Sequence, residues 1–595
     1  MTIVRRLAGL GIWCSILVPQ LASAEVVRVE IRERGAFADG CAFGRSGPYE
    51  RIAGRLHFEV SPEDALNAGI TDLKLAPRNA AGRVEFWSDF FLLKPVDPAR
   101  GNRRLLYDVN NRGNKLALWT FNEARGNNPS TPADAGNGFL LREGWSVLWC
   151  GWSGDVMPGD DRLLAGLPVA RENGKTITGK IHAEICRDEP VGSSPLYWTP
   201  WALSVVYLPV SLDTRRAQLT MRPKRSEPAV EIPPDQWAFA RLEGDKPEPD
   251  SGSIWVKGGL RPGWLYELVY EGQDPRVSGL GFAAVRDCAS FFRYEKADRH
   301  DTANPLAGAV ERAYIFGISQ SGRFVNHLVY DGFNTDERQR IVFDGALSHV
   351  SGSGRGLFNH RFGMATLCAT HHENLLTPSE LFPFTTVPQT DPVTGRSGDI
   401  LARARQRGHV PKIIFTQTST EYWTRGASLL HTDVAGTKDV DLDPNARLYV
   451  VAGAQHLGGG PTDRGLYQNP RNPLDVNDDG DVFEGNVDWD RIRSGFEQLR
   501  QQHVKVRLVP GDPFDALARI ANETSGIDLV VVAGDQDPEL MARAWLFLPR
   551  MIHDDTLVLS QAADAQGRLA DFVQLTRQQV EELAGLRGRR RRLAA

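Results

Sequence analysis

Apolar and polar positions change rhythm several times along the chain. From Glu25 to about Asp97 short runs alternate, as in Arg55-Leu56-His57-Phe58-Glu59-Val60 and Val84-Glu85-Phe86-Trp87, and Gly, Pro and Asn break them up. A period of two predicts β-strands with one face buried. Leu105-Leu106-Tyr107-Asp108-Val109 and Ser146-Val147-Leu148-Trp149 are different: brief, mostly apolar runs typical of strands covered on both faces. Residues from about Met157 to Pro262 are rich in Pro, Arg and polar side chains, with scattered β-like runs such as Ala217-Gln218-Leu219-Thr220-Met221, and are expected to form an insertion. Tyr266 to Tyr270 reads as a further strand, and Gly279 to Phe292 carries small and apolar residues at helical spacing.

Strand and helix signals then alternate. Ala313–Phe316, Ile341–Leu347, Lys412–Thr416 and Ala446–Ala452 read as strands, and Ser321–Tyr330 as a helix. Such alternation predicts an α/β fold, a mostly parallel sheet with helices on both faces. Phe358 to Asp399, rich in Pro, Thr and His, is placed to act as a cap over a pocket. Beyond about Asn469, Val504–Val509, Ile527–Ala533 and Thr556–Ser560 read as strands with helices Pro513–Glu523 and Pro538–Phe547 between them. The expected organisation is a β-rich entry over 25–100 and a core over 101–475 with an insertion at about 157–262 and a cap at about 358–399. An acidic linker at 476–495, a small α/β module at 496–585 and a basic tail at 586–595 follow.

Composition narrows the class. Of 595 residues 41% are hydrophobic and 24% charged, which suits a folded globular chain, and a net charge of -5 gives no electrostatic footprint for nucleic acid. Arg5-Arg6, the apolar stretch Leu7 to Val18 and the small-residue site Ala22-Ser23-Ala24 form a cleavable export signal over 1–24, so a periplasmic or secreted protein is expected. No later segment looks membrane-spanning. Cys14 would leave with the signal; Cys41, Cys150, Cys186, Cys288 and Cys368 are too widely spaced for a disulfide scaffold, and buried thiols with room for one bridge are expected.

The chemistry centres on Tyr314-Ile315-Phe316-Gly317-Ile318-Ser319-Gln320-Ser321-Gly322-Arg323. An apolar strand runs into a tight turn of small residues and then a helix, the setting of a nucleophile elbow. Ser319 is the expected nucleophile. Ser321 is the rival, but it would put Arg323 where the turn needs a small residue. A serine hydroxyl needs a base, and the base an orienting acid. His456, after the strand in Leu448-Tyr449-Val450-Val451-Ala452-Gly453, suits the base; His349 follows an earlier strand, and His371 and His372 sit in the cap. The acid should follow Lys412–Thr416, where Glu421 lies, with Asp433 as the alternative. An oxyanion hole would combine the Gln320 N–H with one from the Asn110–Gly113 loop, for which Asn111 and Arg112 are candidates. The run His371-His372-Glu373 has no further ligand at metal spacing, so no metal is assigned.

Further segments carry a resemblance. Gly47-Pro48-Tyr49-Glu50-Arg51-Ile52, Asp108-Val109-Asn110-Asn111-Arg112-Gly113-Asn114-Lys115, Gly279-Leu280-Gly281-Phe282-Ala283-Ala284-Val285-Arg286-Asp287, Thr420-Glu421-Tyr422-Trp423 and Gly453-Ala454-Gln455-His456 are similar to those of a bacterial family of exported α/β-hydrolase-domain proteins, over roughly residues 27–475. The resemblance implies a hydrolase fold and a Ser-Glu-His triad, which favours Glu421 over Asp433, and it supplies no substrate. Past it, Asp475, Asn477, Asp479 and Gly480 imitate the start of a calcium loop, but position twelve is Asn486. The C-terminal module lacks G-x-G-x-x-G, so no cofactor is expected. The leading expectation is a serine hydrolase acting on a small-molecule or polymer-linked ester; the alternative is a catalytically inactive binding or surface-attachment protein built on the same scaffold. Oligomeric state is not fixed by any of these features.

Overall fold

The computed structural model describes residues 25–451 apart from 125, 188, 197–204, 368–375 and 377–380, together with Ala454 and His456, and in the C-terminal part 527–532, 541–561 without 543 and 546, and 573–584. The export signal, the His371-His372-Glu373 run, the acidic stretch from Asp475 and the basic tail lie outside the described residues.

The alternating N-terminal segment forms three long strands, β1 (Glu25–Ala36), β2 (Gly47–Val60) and β3 (Val84–Pro95), paired antiparallel in sequence order. Along β2 buried and half-buried positions alternate, as the period of two requires. The brief apolar runs become β4 (Arg104–Asp108) and β5 (Ser146–Cys150), and every residue of β5 is buried.

The insertion folds as β-structure with its own core. Its principal strands are β6 (Thr178–Cys186), β7 (Gln218–Arg222), β8 (Ser253–Leu260) and β9 (Leu265–Gln273). The expected end at Pro262 is corrected: β9 pairs antiparallel with both β6 and β7, so this β-layer runs on to Gln273. Pairing along all nine residues of β6 outweighs the local break at Arg261-Pro262, which sets only the turn between β8 and β9.

The chain then enters helix α1 (Leu280–Tyr294), strand β10 (Arg312–Ile318), helix α2 (Gln320–Tyr330), strand β11 (Gly345–His349), strand β12 (Lys412–Thr418), the short helix α3 (Ser419–Thr424) and strand β13 (Ala446–Val451). Strand β11 starts four residues later than expected. Val342 and Phe343 are buried, but Phe343 satisfies its backbone through the Asn334 side chain, which accepts the Phe343 N–H at 2.8 Å and donates to the Phe343 carbonyl at 3.0 Å. An apolar run marks burial, and here an asparagine side chain, not a neighbouring strand, takes its hydrogen bonds.

These strands complete one eleven-stranded sheet whose principal order is β1-β2-β3-β5-β4-β10-β11-β12-β13. From β5 to β13 every neighbouring pair is parallel. The chain steps from β4 outward to β5, then returns to place β10 on the other side of β4. That reversal is a topological switch point, and the crevice beyond the C-terminal ends of β4 and β10 is where such sheets bind ligands. Helix α1, buried almost throughout, packs on the sheet in the main core.

In the C-terminal part Ile527–Val532 pairs parallel with Ile552–Ser560, which pairs antiparallel with Val573–Leu575. No helix among the described residues is long and apolar enough to cross a membrane. Among the described residues Cys41, Cys150 and Cys288 are free thiols.

Candidate active site

Strand β10 delivers its last residue, Ile318, to the switch point, and the chain turns at once into α2. Ser319 is the hinge of that turn, with φ +54° and ψ −116°, a conformation that costs a non-glycine residue about 1–3 kcal/mol. Its neighbours leave no room for side chains. A Cβ on Gly317 would lie 2.3 Å from the Ser321 carbonyl oxygen, and one on Gly322 would lie 2.9 Å from that of His349. The Ser319 N–H donates to the His349 carbonyl at 2.8 Å, which ties the turn to β11.

His456 lies beyond β13, and its Nε2 is 2.8 Å from Ser319 Oγ. Its Nδ1 meets Glu421 Oε1 in a short contact. Glu421 is fully buried in the first turn of α3, where it forms a capping box with Thr418. The Thr418 N–H donates to Glu421 Oε2 at 2.9 Å, and the Thr418 hydroxyl donates to the same oxygen. Burial works against ionisation of this carboxyl, but the hydrogen bonds from His456 and Thr418 outweigh it and hold its pKa below the usual value. The arrangement therefore presents a carboxylate, an imidazole and a hydroxyl in one hydrogen-bonded line.

The other candidates fall elsewhere. Ser321 is buried, and its hydroxyl is engaged with the backbone of Ile318. Asp433 accepts the Thr437 N–H at 2.7 Å and the Thr437 hydroxyl, and so organises its own turn. His349 stands at the end of β11 with Nδ1 2.7 Å from Thr416 Oγ1. Desolvation pushes its pKa down to about 4, against the attraction of Glu421, so it is a neutral neighbour of the line.

The loop after β4 lies against the elbow: the Val109 N–H donates to the Phe316 carbonyl at 2.9 Å, and Asn111 Nδ2 to that of Ile318 at 2.9 Å. Asn111 as an oxyanion donor is corrected. Its N–H donates to the Asn114 carbonyl at 2.9 Å and its carbonyl accepts the Asn114 N–H, closing a tight turn with Arg112 at φ +52° and Gly113 at φ +83°. Two consecutive positive φ values are the mark of a type I′ turn, here with Arg112-Gly113 at its centre, so the Asn111 N–H is committed to closing the turn.

Sequence reasoning missed what binds this loop to the cap. Gln320, expected to act through its backbone N–H, also donates its side-chain amide to the Ala365 carbonyl. Arg112 Nε donates to the Thr366 carbonyl at 2.8 Å. Asp155 accepts both the N–H and the hydroxyl of Thr366. None of these residues carries a local pattern that marks it. Away from the site, His182, Glu184 and Glu267 bring potential ligand atoms within 4.8 Å of one another. Arg222 and Arg225 pair with the two carboxylates at 2.8 and 2.7 Å, which makes the group an ion-pair network hostile to a cation.

A family model described as an alpha/beta hydrolase domain matches residues 242–491, a span that holds Ser319, Glu421 and His456. No curated protein matches the chain. Among solved structures, the peroxisomal alpha-beta-hydrolase Lpx1 from Saccharomyces cerevisiae is similar at 10% identity over 79% of this chain and 94% of that one, with a TM-score of 0.23. A score that low adds nothing to the sheet order and the family model. On those two grounds the chain has the α/β-hydrolase fold, and the matched domain supports hydrolase chemistry.

Proposed function

We propose that this chain is an exported serine hydrolase of carboxylic esters, working through an acyl-enzyme. The observation that carries the reading is His456, placed between Ser319 Oγ at 2.8 Å and the buried Glu421. Geometry of this kind lets the imidazole take the serine proton as the oxygen attacks the ester carbonyl. Glu421 fixes the ring with Nδ1–H toward itself and stabilises the imidazolium that forms. The tetrahedral oxyanion is held by the Gln320 N–H, at the first position of α2 where no intrahelical acceptor exists, and by the Arg112 N–H. One such donor is worth about 3 kcal/mol of transition-state stabilisation. Collapse passes the proton from His456 to the leaving alcohol. A water then attacks the acyl-enzyme by the same route and regenerates Ser319.

The substrate is a small-molecule or polymer-linked ester, and no resident cofactor is needed for these steps. Fluorophosphonate labelling of the mature protein tests the assignment: label is expected on Ser319 and absent from Ser319→Ala, and equal labelling of the two overturns it. Export is read from the N-terminus of the mature protein, expected at Glu25.

A further inference from the structure

The elbow, the loop after β4 and the cap segment at 365–366 close a ring of hydrogen bonds around Ser319. From Ile318 the path runs to Asn111, whose Nδ2 donates to the Ile318 carbonyl at 2.9 Å. Asn111 Oδ1 accepts from Arg112 Nη1 at 2.9 Å, and Arg112 Nε donates to the Thr366 carbonyl at 2.8 Å. The next residue back, Ala365, accepts the side-chain amide of Gln320, which returns the path to the elbow. The ring thus joins three segments far apart in sequence, and its members include both residues proposed to hold the oxyanion.

One residue outside the ring fixes it. Asp155 follows β5 and is buried, and its Oδ2 accepts the Thr366 N–H at 2.9 Å and the Thr366 hydroxyl at 2.7 Å. Oδ1 accepts the Ser153 hydroxyl. Hydrogen bonds to a buried carboxylate are among the stronger ones, and this pair removes the rotation that Thr366 would otherwise have. The position of the Thr366 carbonyl sets where Arg112 Nε lies, and Arg112 follows Asn111, whose side chain is bonded to the elbow.

We infer that Asp155 is a positioning residue for the hydrolytic site: through Thr366 it holds the Arg112 end of the oxyanion loop in register with Ser319. The inference rests on the catalytic reading of Ser319. Misplacement of an oxyanion donor lowers the rate of the chemical step and leaves ground-state binding nearly intact. A residue that only supported the fold would reduce the fraction of active protein, lowering the apparent kcat at constant KM and the extent of labelling, but leaving the turnover and the labelling rate constant of the folded fraction unchanged.

The experiment measures ester turnover and the rate of fluorophosphonate reaction at Ser319 in the full chain, with Asp155→Asn, Thr366→Val and Thr366→Ser. For the folded fraction, verified by circular dichroism, Asp155→Asn is expected to lower kcat and the labelling rate together by about 10- to 100-fold, with KM changed less than about threefold. Thr366→Val, which loses only the hydroxyl, is expected to fall between, and Thr366→Ser to stay near wild type. Folded Asp155→Asn and Thr366→Val that label and turn over as fast as wild type overturn the positioning role while the nucleophile stands. A wild-type chain that takes no label at Ser319 overturns the catalytic reading and this one with it.

Discussion

The Ser321 hydroxyl is locked onto Ile318, donating to its carbonyl and accepting its N–H, each at 2.9 Å. The side chain therefore closes the elbow from inside. Ser321→Ala is expected to cost about 1–3 kcal/mol of stability, because it strips buried backbone groups of a partner. Turnover per folded molecule should stay within about threefold of wild type, whereas Ser319→Ala should lose at least about a thousandfold. Urea unfolding and ester turnover of the two variants, run side by side, separate the serines. An active Ser319→Ala beside an inert Ser321→Ala would reverse their roles.

Strain at Ser319 gives a second expectation. At φ +54° an alanine keeps the unfavourable backbone and glycine relieves it. Ser319→Gly should be more stable than Ser319→Ala by about 1 kcal/mol, although glycine ordinarily destabilises through the unfolded chain. Denaturant midpoints of the two inactive variants decide it, and a less stable glycine variant would show that the turn is relaxed.

Glu421 links activity to acid stability. Its native pKa lies below that of an ordinary carboxyl, so the native state releases its proton first. The stability it contributes is present above the unfolded value of about 4.3 and is lost as pH falls through the native pKa. Glu421→Gln should lower kcat by about 10³–10⁴, as when a triad carboxylate becomes an amide. It should also be less sensitive than wild type to a drop from pH 6 to pH 3. Parallel loss of stability in both proteins would show that the carboxylate is not stabilised in the fold.

Asp108 has the opposite sign. It is fully buried at the end of β4, and Oδ2 accepts the Leu116 N–H at 2.7 Å, the Ala117 N–H at 2.6 Å and the Trp149 indole N–H. Burial raises its pKa to about 6, against those three bonds, and Oδ1 has no hydrogen-bond partner among the described residues. The native state holds its proton where the unfolded chain, near 3.9, has lost it, so stability falls as pH rises from about 4 to about 6. In Asp108→Asn the amide oxygen can take the same three donors without a charge. The stability of the variant relative to wild type should therefore grow between pH 4 and pH 7, measured by urea unfolding at each pH. A constant difference would mean that Asp108 does not titrate in that window.

The strand-turn-helix around Ser319 was legible because much of its constraint is local: a Cβ on Gly317 would strike the Ser321 carbonyl four residues along, and one on Gly322 would lie 3.1 Å from the Gly317 carbonyl five residues back. The order serine, acid, histidine was legible for a related reason. Ser319, Glu421 and His456 each follow a strand of the parallel part of the sheet, and parallel strands bring their C-terminal ends to one edge. The start of β11 was not legible, since the burial of Val342 and Phe343 is independent of what pairs with their backbone. Nor was the true extent of the insertion, which depends on β9 finding β6 across some eighty residues of chain.

Asn111 marks the boundary most clearly. The sequence offered its loop as a source of oxyanion donors, and in the fold that loop closes as a tight turn whose own hydrogen bonds take the Asn111 N–H. Asp155 and Thr366 lie 211 positions apart, and Arg112 and Thr366 254 apart. A contact at that range leaves no periodicity, because its partners share no helix or strand whose repeat could place them on one face. The sequence by itself determined the residues with chemistry to offer and the order of the strands that present them. Only the tertiary structure decided which groups meet, as His456 Nε2 meets Ser319 Oγ at 2.8 Å, because a hydrogen bond needs a partner within about 3 Å and only the folded chain sets that distance.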